Sequence, residues 1–224
     1  MSLQAKLDAF KADFEGGKPP FNAPRAVIDI MHRATAELIA SGAAEHALKA
    51  GSAAPAFTLK DPDGQAVSSA GLLAHGPLVL SFYRGVWCPY CNMELQALQA
   101  ALPDFERLGA KLVAISPQTA PNSRKSMRQN AVGFPILSDP RNEVAAAFGI
   151  RFTLPSYLSE LYASMKVDLP EFNGESSWTL PMPARYVIGQ DGTIVYAEVN
   201  PDYTRRPDPS ELLPALRQTS AIAA

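Results

Sequence analysis

Cysteine is nearly absent from this chain: there are two in 224 residues, Cys88 and Cys91. That excludes a disulfide framework. A chain of this length with 47% hydrophobic residues does not need one, because it can bury a core of its own. Histidine is also scarce. His32, His46 and His75 are the only three, and none stands at zinc-finger spacing, so a zinc site built on the cysteine pair would lack its other ligands. No run approaches the roughly 20 apolar residues that a membrane-spanning helix needs. The opening MSLQAKLDAFKADF has no charged start, apolar centre or cleavage site of a secretory signal, so a cytoplasmic protein without a membrane partner is expected. Neither sign of charge dominates. The 20 basic and 22 acidic side chains leave a net charge of -2, which offers no electrostatic footprint for nucleic acid.

Proline, by contrast, is plentiful. Its 20 occurrences are roughly twice the usual share and mark stiff loops within an apolar-rich chain. Leu3, Leu7, Phe10 and Phe14 follow helical spacing until EGGKPP stops them. A second helix is predicted over 24–40 from Val27, Ile28, Met31, Leu38 and Ile39. These two helices form an N-terminal extension, residues 1–49, whose apolar faces must pack on their own domain or on a second subunit; a homodimer is compatible with them. The main domain then runs over 50–224. AFTLKDPDGQAV reads as strand, turn and strand. Buried strands are predicted at 77–83 and 110–117, and a shorter one at 134–139. Helical patterns follow the first two strands, and NEVAAAFGI follows the third as a short helix. The Pro-rich stretch 152–182 holds one helix near 157–165. A hairpin at 184–199 turns at Gln190-Asp191-Gly192. A last helix is capped by Asp208 or Ser210. This order predicts an α/β fold with a mixed central sheet flanked by helices, its first β-α-β unit crossing over right-handed.

Both cysteines lie in LSFYRGVWCPYCNMELQAL, where a buried strand gives way to a helix. Pro89 suits a first helical turn, so the helix is expected to start at Cys88. A cysteine there faces free N–H groups and the positive end of the helix dipole, which lower a thiol's pKa. Cys91 lies one turn on, close enough to close a disulfide. In a cytoplasmic protein, strand, Cys-x-x-Cys and helix point to redox use.

FYRGVWCPYC with its following helix, SDPRNEVAAAFGI and PARYVIGQDGTIVY together resemble the peroxiredoxin-like branch of the alkyl hydroperoxide reductase and thiol-specific antioxidant family, across roughly residues 50–217. The resemblance implies a thioredoxin-like fold. It implies a peroxide substrate, thioredoxin or glutathione as electron donor, and no metal or organic cofactor. The chain also departs from that family. Aligning Phe82-Tyr83 puts the family's attacking cysteine on Cys91, its threonine on Cys88 and its proline on Arg84, with Glu94-Leu95 matching the pair that often follows. Its arginine falls on Pro183, two residues before Arg185. Pro183 also resembles the cis-proline of thioredoxins, which would set the Met182 backbone beside the sulfurs. Cys88 is preferred as the nucleophile because it sits at the helix start and is expected to be the more exposed, while the alignment favours Cys91.

Around the pair, Trp87 is expected to shield the thiols or to pack as core. Arg84 is expected to stabilise a thiolate or to sit solvated at a strand end. Tyr90 could donate a hydrogen bond. Glu94 could relay a proton, although a helix glutamate sits more naturally on the surface. Arg185 would reach the site if strand alternation turns it that way. Trp178 and Met182 are read as pocket walls or as core, and Arg205-Arg206 as a solvated turn. The expected function is a thiol peroxidase cycling between dithiol and Cys88–Cys91 disulfide. The alternatives are a protein disulfide oxidoreductase and a non-catalytic redox sensor.

Overall fold

The computed structural model describes residues 1–222. Helix α1 (Leu3–Glu15) starts behind Ser2, whose hydroxyl accepts the Ala5 N–H. Helix α2 (Arg25–Ala40) follows Pro24. The hairpin of β1 (Thr58–Lys60) and β2 (Ala66–Ser68) closes around the turn at 61–64, and a short α3 (Ser69–Leu73) that the sequence pattern did not signal is capped by Ser68. Then come β3 (Leu78–Phe82), α4 (Pro89–Arg107), β4 (Lys111–Ser116), α5 (Ala120–Asn130), β5 (Ile136–Ser138) and α6 (Glu143–Ala147).

The Pro-rich stretch is more ordered than its pattern suggested. Besides the expected helix α7 (Ser156–Ser164), it holds α8 (Leu169–Asn173), and its ends pair as β6 (Arg151–Thr153) and β7 (Thr179–Pro181) in a separate two-stranded sheet. Such three-residue strands are too short to show an alternation. The hairpin of β8 (Ala184–Ile188) and β9 (Ile194–Val199) is as predicted. Asp208 caps a 3₁₀ turn in a reciprocal capping box with Glu211, and that turn runs into α9 (Leu213–Ile222).

The main sheet has the order β2-β1-β5-β4-β3-β8-β9. Strands β3, β4 and β5 are mutually parallel, and β8 runs antiparallel to β3. All five residues of β3 are buried, as a central strand's continuous apolar run requires. Alternation splits the sheet into two faces. Leu78, Leu80, Phe82, Tyr186 and Ile188 pack on one side with Phe148 and Ile150. Val79, Tyr83 and Val187 pack on the other, against Leu95 and Leu98 of α4. The N-terminal helices pack on their own chain: Leu3 and Leu7 of α1 are buried in this second core, the one that holds both cysteines, and α2 lies against α7. Among the described residues no helix is long and apolar enough to cross a membrane.

Two expectations for the strand before the last hairpin are corrected. The Met182–Pro183 peptide is trans; among the described residues only Pro19–Pro20 is cis. The chain stays extended here because the Met182 N–H donates to the Ile150 carbonyl at 2.7 Å and the Pro183 carbonyl accepts from Asn200 at 3.1 Å. Met182 therefore points into the core on the sheet face opposite the sulfurs, and its backbone is held by Ile150.

Candidate active site

Cys88 is the residue that caps α4, with Pro89 in the first turn and Cys91 one turn in. The chain reaches this point through a tight loop from β3. Gly85 there has a φ of +150°, and a side chain would start 2.6 Å from the Trp87 indole nitrogen, so glycine alone fits. Polar side chains hold the loop from behind. Gln118 accepts the Val86 N–H at 2.9 Å and donates to the Tyr83 hydroxyl at 2.5 Å and to Ser126 at 3.0 Å. Asn92 donates to the Val86 carbonyl at 2.8 Å and accepts from Asn130 at 2.9 Å.

Both thiols are free and buried, so the expectation that Cys88 is the exposed one is corrected: it is 1% exposed and belongs to the same apolar cluster as Tyr90 and the α1 residues Leu3 and Leu7. The two differ in electrostatics instead. Burial pushes the Cys88 thiol up. The Cys91 thiol, the Arg84 guanidinium, the Cys91 amide and Arg206 pull it down more strongly, to about 6. Burial drives Cys91 well above the ordinary thiol value, and the adjacent Cys88 anion adds to this against the pull of Arg206 and Arg84. The pair therefore carries one negative charge over a wide pH range. We expect thiolate absorbance to rise in a first step near pH 6 and in a second well above pH 9. A single two-thiol step near pH 9 would contradict this electrostatic picture.

Arg84 is buried rather than solvated. Its guanidinium lies 4.2 Å from the Tyr203 ring centre and 4.7 Å from that of Trp87, and it donates to the Tyr162 hydroxyl. Among the described residues it has no carboxylate partner, and its Nε has no hydrogen-bond partner. Trp87 meets Tyr162 edge-on at 5.5 Å. Tyr90 is buried with its ring against Phe10 of α1 at 5.1 Å and Tyr203 at 5.6 Å. Pro183 lines a smaller cavity, beside Arg84 and Tyr203 but apart from the sulfurs.

Glu94 is not a surface glutamate. It is 1% exposed and paired with Arg206, Nε to Oε2 at 2.5 Å. Arg185 is fully buried on the same sheet face, 3.4 Å from the other Glu94 oxygen but too poorly aligned for a hydrogen bond, and it donates to the Pro207 carbonyl. Arg205-Arg206 is a solvated turn only at its first residue. Arg206 folds inward, 2% exposed, with Nη2 3.9 Å from the Cys91 sulfur. Sequence reasoning missed its place at the sulfurs, because no local pattern marks the inward member of an Arg-Arg pair. Its backbone is fixed by α1, whose Gln4 accepts the Arg206 N–H at 2.7 Å.

The sulfurs thus lie beside two buried guanidiniums, Arg84 and Arg206, and the buried Glu94 carboxylate joins Arg206 to Arg185. Glu198, opposite Arg185 in register, has its pKa raised to about 7 by burial against the pull of Arg185, so it is only partly ionised at neutral pH. Such a site stabilises a thiolate and an oxyanion next to it. Among the described residues no group of three or more His, Cys, Asp or Glu side chains could hold a metal ion. A cavity of about 640 Å³ opens onto Cys88, Arg84 and Trp87.

Residues 50–197 match the model of the AhpC/TSA family. The chain is 29% identical over 146 residues to the chloroplast peroxiredoxin Q of rice, Oryza sativa subsp. japonica, a match that covers 65% of this chain and 57% of that protein. It is 33% identical over 105 residues to alkyl hydroperoxide reductase E of Mycobacterium tuberculosis, covering 46% of this chain and 69% of that one. The crystal structure of the peroxidoxin BcpB from Mycobacterium tuberculosis superposes with a TM-score of 0.61 at 23% identity, covering 79% of this chain and 99% of that one.

Proposed function

The chain belongs to the AhpC/TSA family and has its thioredoxin-like fold, and on that footing we propose that it is a thiol-dependent peroxidase working through a Cys88/Cys91 cycle. One observation carries the reading: a thiol brought down to about 6 sits at a helix start beside a buried guanidinium that, among the described residues, no carboxylate pairs with. The Cys88 thiolate attacks the terminal oxygen of a hydroperoxide. The S–O bond forms as the O–O bond breaks, and the leaving oxygen departs as alkoxide or hydroxide beside Arg84, taking a proton from solvent. Cys88 is then a sulfenic acid. The Cys91 sulfur attacks it, the S–S bond forms, and water leaves with the proton of the Cys91 thiol. Two electrons from a thioredoxin- or glutathione-type thiol donor restore the dithiol.

Arg206 serves the second half of this cycle. It stands against Cys91 and offsets part of the cost of ionising that sulfur as it attacks. The disulfide-reductase alternative loses support from the trans Met182–Pro183 peptide, which leaves no proline-presented backbone beside the sulfurs for a peptide substrate.

Stopped-flow measurement of thiol loss in the reduced protein on mixing with hydroperoxide tests the proposal. We expect oxidation at least a hundredfold faster than for a free thiol of the same pKa. Oxidation no faster than that thiol would reject the peroxidase reading, and insulin reduction would then test the alternative.

A further inference from the structure

The N-terminal helices build half of the cavity over Cys88. Phe14 of α1, Phe21 of the connecting turn, and Ile28 and Met31 of α2 form one wall. Trp87, Met165 and Val167 line the cavity as well, and so do Cys88 and Arg84. The arm therefore shapes the approach to the thiol, although it lies outside the segment that matches the family, residues 50–197.

Three features point to a ligand. Exposed apolar surface is concentrated at the cavity: of the four large hydrophobic side chains that are well exposed among the described residues, Phe21, Ile39 and Met165 line it, and only Met1 does not. The volume of about 640 Å³ falls within the range of small-molecule sites and far exceeds what hydrogen peroxide fills. Arg84, 3% exposed, and Cys88 line the same cavity, so a buried guanidinium stands with the thiol on the space a ligand would enter.

From these we infer that the arm makes the cavity a selective chamber for hydroperoxides that carry a bulky apolar group, aryl or long alkyl, in preference to hydrogen peroxide. This rests on the peroxidase reading and extends it to the choice of substrate. The apolar group lies between the arm and Trp87, which directs the –OOH end toward Cys88 and Arg84. Each methylene moved from water to the chamber is worth about fourfold in affinity. Hydrogen peroxide has none to bury and gains nothing from this wall.

The test has two readouts. The first is the second-order rate constant of the reduced protein with hydrogen peroxide, tert-butyl hydroperoxide and cumene hydroperoxide. We expect it to rise along that series, at least tenfold from first to last. Ala36 is an exposed residue of α2 on the cavity lining, so Ala36→Trp places a ring across the mouth without disturbing the core. It should lower the cumene-to-hydrogen peroxide ratio at least fivefold. A ratio near one in the parent, or a ratio unmoved by Ala36→Trp, overturns the inference.

The second readout needs no reaction. The probe is 2-phenyl-2-propanol, the alcohol left by cumene hydroperoxide, followed by the fluorescence of Trp87 in the chamber wall. We expect a saturable change in the parent that is weakened at least fivefold in Ala36→Trp. If the probe binds in this way but no hydroperoxide is reduced, the chamber stands and the peroxidase reading fails. If hydroperoxides are reduced without preference and the probe does not bind, the peroxidase reading stands and the chamber fails.

Discussion

Replacing Cys88 by serine will reduce the rate of peroxide-driven thiol oxidation by about a hundredfold or more, whereas Cys91→Ser will keep fast attack and accumulate a sulfenic acid. The difference follows from ionisation. At pH 7 a thiol with a pKa of about 6 is roughly nine-tenths thiolate, while one at or above 9 is at most about one-hundredth thiolate. A higher pKa makes the rarer anion a better nucleophile, but with a Brønsted slope of about 0.4–0.5 each unit recovers only about threefold of the tenfold lost in population. Population therefore wins, and it wins by more the further burial raises Cys91. Access acts in the same direction, since Cys88 lines the cavity and Cys91 lies behind it against Arg206. Trapping sulfenic acid with a dimedone-type reagent in each variant, with mass spectrometry to locate the label, checks the assignment. A label on Cys91 in the Cys88→Ser protein, formed at the parent rate, would reverse the order of attack and favour the family alignment.

Glu94→Gln is expected to cost about 3–5 kcal/mol of folding stability, a large part of the roughly 5–15 kcal/mol that a domain has. The exchange keeps the shape and removes the only buried carboxylate between Arg206 and Arg185. Both guanidiniums are almost fully buried. Their remaining hydrogen bonds to oxygen go to backbone carbonyls, Tyr203 and Arg205 for Arg206 and Pro207 for Arg185, and the charge left to face them is that of the thiol pair beside Arg206 and of a partly ionised Glu198 opposite Arg185. The charge no longer matched by Glu94, more than the lost hydrogen bond, sets the magnitude. Urea unfolding should show a lower midpoint with an unchanged slope. A loss below about 1 kcal/mol would mean that water reaches the cluster and that Glu94 is not its electrostatic keystone. If Glu94→Gln does not fold, Glu94→Asp provides the same test, because it keeps the charge and withdraws it by one methylene. It should fold with an intermediate loss.

Much of this site was legible in the chain because its cause is local. The run at 77–83 can only be a strand buried on both faces, and it is β3. Pro89 can open a helix but not continue one, and it opens α4 behind Cys88. The Gln190-Asp191-Gly192 turn fixes the last hairpin, whose alternation sends Arg185 and Val187 to the cysteine side of the sheet. The Met182 side chain is core, one of its two expected places, but its backbone and Pro183 depart from expectation because a resemblance to the thioredoxin proline says nothing of which backbone partner holds the strand, and here Ile150 holds it. Glu94 and Arg206 were misread together and for one reason. A charged side chain is assigned to solvent by default, and only its partner overturns that default.

By itself the sequence determined that two thiols one helical turn apart stand at a strand-to-helix junction, since that depends on residues within reach of one another along the chain. Which thiol ionises, and what approaches it, was decided by the tertiary structure. Arg206 reaches Cys91 from 115 positions away and Glu94 from 112. The arm supplies a wall from the other end of the chain. A charge buried at the wrong place costs more than a domain can lose, so the location of these side chains is fixed by the packing of the whole fold and not by any segment of it.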